Sequence, residues 1–564
     1  MITGNMKKII TNILLAGSFT TIPFTSDAQS WTWAKSAGGT AIDAGNYLAT
    51  DASGNTYVIG SFNSSTASFG SIIVNSAGSD DVFLAKYDAT GNPLWVQTFG
   101  SSGSDIGHGV AIDGNGFVYI SGSFSSATIT LGSFTIARTY TTGFFLAKLA
   151  ASGNVIWAAP VDGQQGGVTS SVTVDNSGNV IITGCFASPD ITFGSIVLGN
   201  TSGTSIFIAK YDGSGNSIWA TGAGCTTQNS LTYSNKLVCD TGGNIFVTGS
   251  YGFPSITFGT YTLMNNDPVS IDMFAVKCDA SGNVIWAKSG NGVGDNSGAN
   301  VVVDPSGNIF VTGYFYTTNT FGSFSITSAG GSDLFLVKYD ALGNELWVRN
   351  FGGNLGDYGI GLCNDYYGNI LLTGYFKTDT LWLGSIGLPN DSAGGFDCFI
   401  AKMDANGNAM WALSAGGKRD DRLLGVTALP NGDIYSAGMF KSSLMNAGPF
   451  ILNNTSTGFL NDMMVVKIAD LPTGITLNSY SSLLTACPVP SSGIITVSYE
   501  MENNAIAEFT VLDLLGNLVV AQNIALKKGK NAFTMDLNSL KPDVYFLRML
   551  CENNISTKRI IISR

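Results

Sequence analysis

Apolar runs separated by short polar turns repeat along most of the chain at a nearly constant period. The segment 303–315, VDPSGNIFVTGYF, has six counterparts, and the Gly that closes its second apolar run recurs at intervals of 61 to 65 residues. These glycines are Gly60, Gly122, Gly184, Gly249, Gly313, Gly374 and Gly438. Self-similarity at a fixed period of this length is the signature of a repeat fold. The pattern therefore indicates the architecture before any single residue is considered.

Each repeat contains two predicted hairpins. In the Asp-x-x-Gly turns, Asp caps its own turn and Gly supplies the positive φ of a short loop. The flanking runs, such as NIFVTGYF and DLFLVKYD, are almost continuously apolar. That is typical of strands covered on both faces. We therefore predict four antiparallel strands per repeat, A to D, in small sheets packed between like sheets, which are propeller blades.

The two ends of the repeat array complement each other. The seventh repeat ends after strand C, at MMVVKIAD, whereas SWTWAKSAGG, with Trp33 in register, precedes the first strand A. If this first strand completes the last blade, no sheet edge of the array is left exposed. The fold expected is thus all-β: a seven-bladed β-propeller over residues 29–471, closed by the N-terminal strand and with few helices.

Composition narrows the range of partners. The net charge of the chain is −12, and only 12% of its residues are charged. Because a negatively charged protein repels polyanions, this argues against nucleic acid and anionic membranes as ligands. Residues 1–28 are typical of a secretory signal peptide: Lys7 and Lys8, an apolar stretch, and small residues before Gln29. No later stretch has the 18 or more apolar residues of a membrane span. We expect a monomer without a transmembrane segment.

The repeat pattern stops near residue 472, and residues 472–564 show alternating strands with Gly and Asn turns, which predicts a small β-sandwich. Its motifs are Pro488-x-Pro490-x-x-Gly493, Val511-x-Asp513-x-x-Gly516, Val544-Tyr545 and Lys558-Arg559.

On these motifs the segment resembles the C-terminal sorting domain of type IX secretion cargo in Bacteroidota. Val489 departs from the Asn usual in that family, and Pro542-Asp543 departs from its Ser-Gly. The repeats are similar to the SBBP-type β-propeller family. The resemblance implies the type IX machinery as a partner and a secreted or outer-surface location, but no activity.

Candidate chemistry is sparse. The single His, His108, occupies the slot of Asn46 in the first repeat, so we expect a structural role. No P-loop, HExxH or GxSxG motif occurs. Cys239, Cys278, Cys363 and Cys398 fall on strands A and C of their sheets, too far apart for disulfides. Cys487 and Cys551 lie in the last segment, where pairing stays open.

Aromatic residues offer a second set of candidates. The seven Trp residues in register are predicted to pack between blades rather than to bind sugars. Trp382 lies outside that register; packing is the favoured interpretation and an exposed binding aromatic the alternative.

The strongest topological hypothesis concerns one end of the ring. Strand topology brings the D–A and B–C connections to the same end, and variable surface connections are where binding usually resides. The D–A connections bring carboxylates to equivalent positions there: Asp43, Asp105, Asp357 and Asp421, with Asp295 beside the corresponding Asn296. Turn capping is the favoured interpretation. A hard cation such as Ca²⁺, held in a partial ring at the channel mouth, is the alternative.

No catalytic constellation stands out from the repeat. We therefore expect a secreted or cell-surface, non-catalytic binding or adhesion module with a carbohydrate or protein ligand and no cofactor. An extracellular polysaccharide lyase or glycosidase that uses carboxylates at the channel mouth is one alternative. A structural envelope component is another.

Overall fold

The computed structural model describes residues 29–470 and 484–563. Gaps fall at 140, 164–166, 188, 201–202, 226–231, 253, 392–393, 490, 502–503, 514–517 and 552–553. The proposed signal peptide lies outside the described residues. The chain separates by its contacts into a unit from Gln29 to Leu471 and a unit that begins at Pro472. Across the described ranges the fold is all-β, without helices, and no helix there is long and apolar enough to cross a membrane.

The first unit contains seven antiparallel sheets that share four strands in the order A-B-C-D, and three of these sheets continue into a further hairpin. Strands are numbered β1–β49 along the chain. Strand A is β2 (Asp43–Thr50), β8 (Asp105–Ile112), β14 (Gly167–Val174), β20 (Thr232–Cys239), β26 (Asn296–Val303), β32 (Asp357–Asn364) or β38 (Asp421–Ala428). Strand B is β3 (Thr56–Phe62), β9 (Val118–Phe124), β15 (Val180–Phe186), β21 (Ile245–Gly252), β27 (Ile309–Phe315), β33 (Ile370–Phe376) or β39 (Asp433–Phe440).

The outer half of each sheet carries strands C and D. Strand C is β6 (Asp81–Tyr87), β12 (Gly143–Leu149), β18 (Ser205–Tyr211), β24 (Ile271–Cys278), β30 (Asp333–Tyr339), β36 (Asp397–Met403) or β42 (Asp462–Ala469). Strand D is β7 (Pro93–Phe99), β13 (Val155–Gly163), β19 (Ser217–Gly224), β25 (Val284–Val293), β31 (Glu345–Phe351) or β37 (Ala409–Ala415). In the last sheet strand D is β1 (Ser30–Gly39), which pairs antiparallel with β42, Trp33 opposite Lys467.

The sequence suggested that the B–C connections are simple loops, but they are not. Each forms a further two-stranded hairpin around a Gly with φ between +55° and +65°, such as Gly70 and Gly384. The hairpins are β4 (Thr66–Phe69) and β5 (Ile72–Asn75), β10 (Thr128–Leu131) and β11 (Phe134–Ala137), β16 (Asp190–Phe193) and β17 (Ile196–Gly199), β22 (Ser255–Phe258) and β23 (Tyr261–Met264), β28 (Thr318–Phe321) and β29 (Phe324–Thr327), β34 (Thr380–Leu383) and β35 (Ile386–Pro389), and β40 (Leu444–Ala447) and β41 (Phe450–Asn453). Three of them pair with strand D of the preceding sheet.

Apolar cores fill the spaces between neighbouring sheets. The core that contains Trp33 and Met463 of the last sheet also contains Leu48 and Phe83 of the first. Strand A of each sheet contacts strand A of the next, and β38 of the last sheet contacts β2 of the first. Because both faces of a sheet are covered in this way, strands B and C are buried along almost their whole length.

A recurring polar contact also joins the sheets. In four of the seven sheets the Lys of strand C and the Trp of strand D both donate to one backbone carbonyl in the C–D turn of the next sheet. Lys148 Nζ and Trp157 Nε1, for example, both lie 3.2 Å from the Gly213 oxygen. Between the sixth and seventh sheets the acceptor is instead the Asp470 carboxylate, which Trp411 reaches at 3.1 Å. The expectation that these Trp residues lie between sheets agrees with these contacts.

Four cysteines of the first unit form no disulfide, as the sequence predicted. Cys239, Cys278, Cys363 and Cys398 are free thiols, and burial raises the pKa of each. The side chains of Cys487 and Cys551 lie outside the described part of the chain.

The second unit contains two antiparallel sheets, in the orders β43-β44-β47 and β46-β45-β48-β49. They share a core that includes Val497 of the first sheet and Phe509 of the second. The strands are β43 (Thr485–Cys487), β44 (Ile494–Met501), β45 (Ala505–Leu512), β46 (Leu518–Leu526), β47 (Gly529–Asp536), β48 (Asp543–Cys551) and β49 (Asn554–Ile562).

Candidate functional site

Four of the five predicted strand A carboxylates are buried and bind the connections around them. Asp357 Oδ2 accepts hydrogen bonds from the Gly353 amide at 2.9 Å and from Thr378 Oγ1 at 2.6 Å. Its Oδ1 accepts from the Lys377 and Thr378 amides at 3.0 and 3.2 Å. Asp43, Asp105 and Asp421 make the same type of contact with Ser64, Ser126 and Ser442. Each carboxylate thus fixes a D–A connection or a B–C connection, or both, to its sheet.

A second carboxylate stands beside each of these, at the start of strand C in the preceding sheet. The space beside Gly38 shows how close the first pair is. A Cβ atom placed on Gly38 would lie 2.6 Å from Asp462 Oδ1 and 3.0 Å from Asp43 Oδ2, so both carboxylates border the same small space. The other pairs are Asp81 with Asp105, Asp333 with Asp357, and Asp397 with Asp421. Burial, followed by weaker effects that include the neighbouring carboxylate, raises the pKa of Asp397 to about 7 and that of Asp333 to about 6.

The fifth predicted carboxylate behaves differently. In the fifth sheet, Asn296 takes the buried position and donates to Asp272 Oδ1 at 2.8 Å. Asp295 is exposed and accepts from the Ile271 amide at 3.1 Å. The structure therefore does not gather the five predicted residues at one point. In the part of the chain that is described, no three His, Cys, Asp or Glu side chains are placed to hold a metal.

His108 is half-buried on strand A, and its Nε2 lies 2.9 Å from Ser123 Oγ. Burial lowers the pKa of the imidazole to about 4, so the ring is neutral at physiological pH. Its only hydrogen bond among the described residues is to a repeat serine, which supports a structural role.

The favoured interpretation, that the Trp382 side chain packs against the sheets, is wrong. Its side chain is 56% exposed on strand β34. The reason is the unrecognised hairpin: a two-stranded ribbon has one face toward the sheets and one toward solvent, and Trp382 occupies the outer face.

The most unusual surface of the first unit is a cluster of aromatic rings at the end where the B–C and D–A connections meet. We call it the tyrosine cluster: Tyr314, Tyr316, Tyr358, Tyr375 and Phe396, with Arg422. The ring centroid of Tyr358 lies 5.1 Å from that of Tyr314 and 5.0 Å from that of Tyr375. Tyr375 in turn lies 5.1 Å from Phe396. The rings belong to the end of strand B of the fifth sheet and the residue just after it, to strands A and B of the sixth sheet, and to the residue before strand C of the sixth. They form one continuous group.

Polar groups border the tyrosine cluster. The Arg422 guanidinium lies 4.7 Å from the Tyr375 ring and 3.9 Å from Asp420 Oδ2, and Lys441 Nζ lies 3.3 Å from the same carboxylate. The exposed Asp295 contributes to raising the pKa of Tyr314, although burial is the larger cause. The pKa of Tyr375 is also raised by burial, so both phenols stay protonated at neutral pH and can donate and accept hydrogen bonds.

Sequence reasoning placed binding at this end but missed these residues. A weak signal was present: only the fifth and sixth repeats have Tyr before the Phe that ends strand B, at Tyr314 and Tyr375. Tyr358 and Arg422 likewise replace small or aliphatic residues found in the first two repeats, Ala44 and Ile106. These substitutions converge only when adjacent sheets are placed side by side.

The predicted sorting residues occupy both sheets of the second unit. Gly493 has φ +135°, and a Cβ there would lie 2.2 Å from Asn538 Oδ1, so the close approach requires Gly. Tyr545 is buried and donates to the Lys541 carbonyl at 3.1 Å.

The remaining motif residues are more scattered. Asp513 directly follows β45, Pro488 is exposed just after β43, and Lys558 and Arg559 lie on β49, the former exposed. Pro490 and Gly516 lie outside the described residues.

Comparison with known families settles what these two units resemble. Residues 485–563 match the secretion system C-terminal sorting domain, and residues 94–123 match the SBBP β-propeller repeat. One stretch of the first unit thus matches an SBBP repeat, and the second unit matches the sorting domain of type IX secretion cargo. The sorting domain indicates export through type IX secretion to the cell surface or the extracellular space.

Two curated relatives also match. An uncharacterized WD repeat-containing protein of Acanthamoeba polyphaga mimivirus, L264, is 23% identical over 483 residues, which cover 72% of this chain and 34% of that protein. The regulatory protein FlaEY of Caulobacter vibrioides is 29% identical over 116 residues, 20% of this chain and 12% of that protein. The chain thus spans about a third of the first relative's length and about an eighth of the second's.

Solved structures show only distant likeness. A puromycin hydrolase mutant has a TM-score of 0.36 at 9% identity, over 81% of this chain and 58% of that one. A family 32 glycoside hydrolase of Bifidobacterium adolescentis has a TM-score of 0.24 at 9% identity, over 94% and 96%.

Proposed function

We propose that residues 29–471 form a closed seven-bladed β-propeller and that residues 472–564 form a β-sandwich. Seven four-stranded sheets, strand A contacts that run from each sheet to the next, and the contact of β38 with β2 support the ring. Pairing of β1 with β42 supplies the missing strand of the last sheet. Two sheets around one core support the sandwich.

We further propose that the protein is a secreted or surface-displayed, non-catalytic binding module whose ligand is a glycan held by the tyrosine cluster. The observation that carries this proposal is the continuous run of Tyr314, Tyr358, Tyr375 and Phe396, with centroids about 5 Å apart. One face of a sugar ring presents C–H groups, which stack on aromatic rings, while its hydroxyls need donors and acceptors. Tyrosine supplies an apolar ring and a polar tip together.

The polar border of the cluster suits the same ligand. Arg422 and Asp420 provide a donor and an acceptor for sugar hydroxyls beside the rings. A few fixed polar groups around an apolar platform are the usual composition of a small-molecule or sugar site. In this proposal the aromatic rings supply most of the affinity for the sugar, and the polar groups at the border fix its orientation.

A non-catalytic role is supported by the state of the two buried carboxylates beside the cluster, Asp357 and Asp421. Asp357 and Asp421 accept hydrogen bonds from backbone amides and a hydroxyl and are fully buried. A glycosidase needs two carboxyl groups that reach the sugar from opposite sides. Carboxylates that hold loops in place are not available for that reaction.

Glycan-array binding of the purified full-length chain tests the proposal. We expect binding to at least one glycan, and a Tyr358→Ala/Tyr375→Ala double variant should lose it. The matched control is Tyr366→Ala/Tyr367→Ala, an exposed tyrosine pair with centroids 5.5 Å apart in the A–B turn of the same sheet, at its other end. Absence of binding by the folded protein, or equal binding by the cluster variant, would contradict the proposal.

A further inference from the structure

A second candidate site lies away from the tyrosine cluster, between the seven strands A. A cavity of about 360 Å³ is lined by residues of the first strand of every sheet. The residues that line it are mostly aliphatic, but polar atoms form about half of the surface that faces the cavity. The hydroxyls of Thr50, Thr173 and Thr427 lie toward the A–B turns. These three residues are half-exposed, so the cavity opens to solvent at that end.

One lysine, Lys236, lines this cavity. Lys236 follows the β-bulge of strand A in the fourth sheet. The equivalent positions of the other sheets carry no charge: Tyr47, Gly109, Ser171, Asn300, Gly361 and Gly425. Lys236 is only 9% exposed, and its Nζ lies 3.5 Å from the centroid of the Tyr47 ring, which comes from the first sheet. The pair therefore reaches across the space between sheets one and four.

The Lys236 ammonium has no carboxylate partner. No ion pair or hydrogen bond joins it to any other residue that the structure describes. By contrast, the repeat lysines Lys210 and Lys402 lie 2.9 and 2.7 Å from Asp175 and Asp365. Burying an uncompensated charge is unfavourable, and a cation–π contact offsets only part of that cost.

The other titratable groups of the cavity do not supply the missing charge. The pKa values of Tyr47, Cys239 and Cys363 are all raised by burial, so all three are neutral at pH 7. Asn364 lines the same cavity, and its Oδ1 is buried without a hydrogen-bond partner among the described residues. The cavity thus holds one lysine without a carboxylate partner and one unsatisfied amide oxygen, between side chains that are mostly aliphatic.

We propose that this cavity binds a small organic carboxylate, with the carboxylate at Lys236 Nζ and the rest of the molecule against Tyr47 and the aliphatic walls. A carboxylate would complete the ion pair that the protein lacks. The volume suits a molecule up to the size of a monosaccharide acid. Two sources share this chemistry: a free aliphatic acid and a sugar acid. The site does not depend on the tyrosine cluster or on its proposed ligand.

Calorimetry on the purified full-length chain tests the proposal with three probes: sodium butyrate, sodium glucuronate and glucose. We expect at least one carboxylate to bind and glucose to bind more weakly. Lys236→Met should weaken that binding at least tenfold, while Lys236→Arg should retain part of it. Lys288→Met, which removes a partly exposed lysine beside Glu345, is the matched control and should bind like the wild type.

The outcomes separate the two sources from failure. Binding of butyrate and glucuronate alike supports a site for small carboxylates generally; binding of only one supports an aliphatic acid or a sugar acid. If neither carboxylate binds, or glucose binds as well as glucuronate, the proposal is wrong. Unchanged binding by a folded Lys236→Met protein would also overturn it, and Lys236→Gln provides the same test if the Met variant does not fold. Loss of glycan binding by the tyrosine-cluster variant would leave these results unaffected.

Discussion

Trp33 donates a hydrogen bond from its indole Nε1 to the carbonyl of Ala89 at 3.1 Å, across 56 residues of chain. Lys467 Nζ, from the strand paired with Trp33, lies 3.3 Å from the same oxygen. The N-terminal strand therefore both extends the last sheet and contacts the first. This contact bears directly on the proposed closure of the ring.

Trp33→Ala should destabilise the first unit strongly. The side chain is 6% exposed in the core shared by the last and first sheets, and truncation of a buried Trp costs about 3–5 kcal/mol. Chemical denaturation measures the effect. Trp382→Ala, at an exposed position, is the control and should change stability by less than about 0.5 kcal/mol. Equal effects of the two substitutions would contradict closure through Trp33.

Asp397→Asn should stabilise the protein at pH 8 and have little effect near pH 4. Burial raises the pKa of Asp397 to about 7 in the folded state. Between pH 4 and 7 the folded state therefore retains a proton that the unfolded state has released, and stability falls as pH rises through this range.

In the Asp397→Asn variant the new amide keeps an acceptor for the Asp391 N–H, and its NH₂ group replaces the Oδ1 that has no partner. We expect a gain of about 1 kcal/mol at pH 8, measured by denaturation at several pH values. The native Asn296–Asp272 hydrogen bond is the precedent. Asp88→Asn, in an exposed turn where hydrogen bonds lower the pKa, should bring no gain at pH 8; a gain there equal to that of Asp397→Asn would refute the explanation.

Lys236→Met should raise the melting temperature, and more at pH 6 than at pH 9. Burial lowers the pKa of Lys236 to about 7, so the folded state binds fewer protons than the unfolded state above that pH. Burial of the charged Lys236 therefore lowers the free energy of unfolding most below pH 7, and this loss shrinks as the pH rises above 7. A gain of about 2 °C or more at pH 6 is expected. A lower melting temperature at pH 6 would show that the charged lysine stabilises the fold.

Calcium should not change the stability of the protein. The oxygens of Asp105 already accept hydrogen bonds from the Ser101, Ser125 and Ser126 amides and from Ser126 Oγ, which favours capping over cation binding. We expect the same melting temperature in millimolar Ca²⁺ and in chelator, while Asp105→Ala lowers stability by about 1–3 kcal/mol in both. A calcium-dependent rise that Asp105→Ala abolishes would instead support the cation site.

Sequence reasoning was most successful where each repeat carries its own signal. The Asp-x-x-Gly turns and the continuous apolar runs are local, so strands A to D and the strand preceding them could be predicted. The B–C hairpins could not be predicted because their strands are only four residues long, too short for a clear alternation of apolar and polar residues.

The candidate sites depended on contacts that no local pattern encodes. Tyr358 of the sixth sheet contacts Tyr314 of the adjacent fifth sheet. Lys236 of the fourth sheet contacts Tyr47 of the first. Each residue alone is an ordinary deviation from the repeat. Only the strand register and the stacking of sheets bring them together, and one sequence does not specify these.

Glycan binding by the tyrosine cluster can be tested by calorimetric titration of the strongest array glycan into the wild-type protein and into the Tyr358→Ala and Tyr358→Phe variants. Because Tyr358 contacts both Tyr314 and Tyr375, we expect Tyr358→Ala to weaken binding at least tenfold and Tyr358→Phe, which keeps the ring, to weaken it far less. Wild-type affinity in a folded Tyr358→Ala protein would contradict the claim.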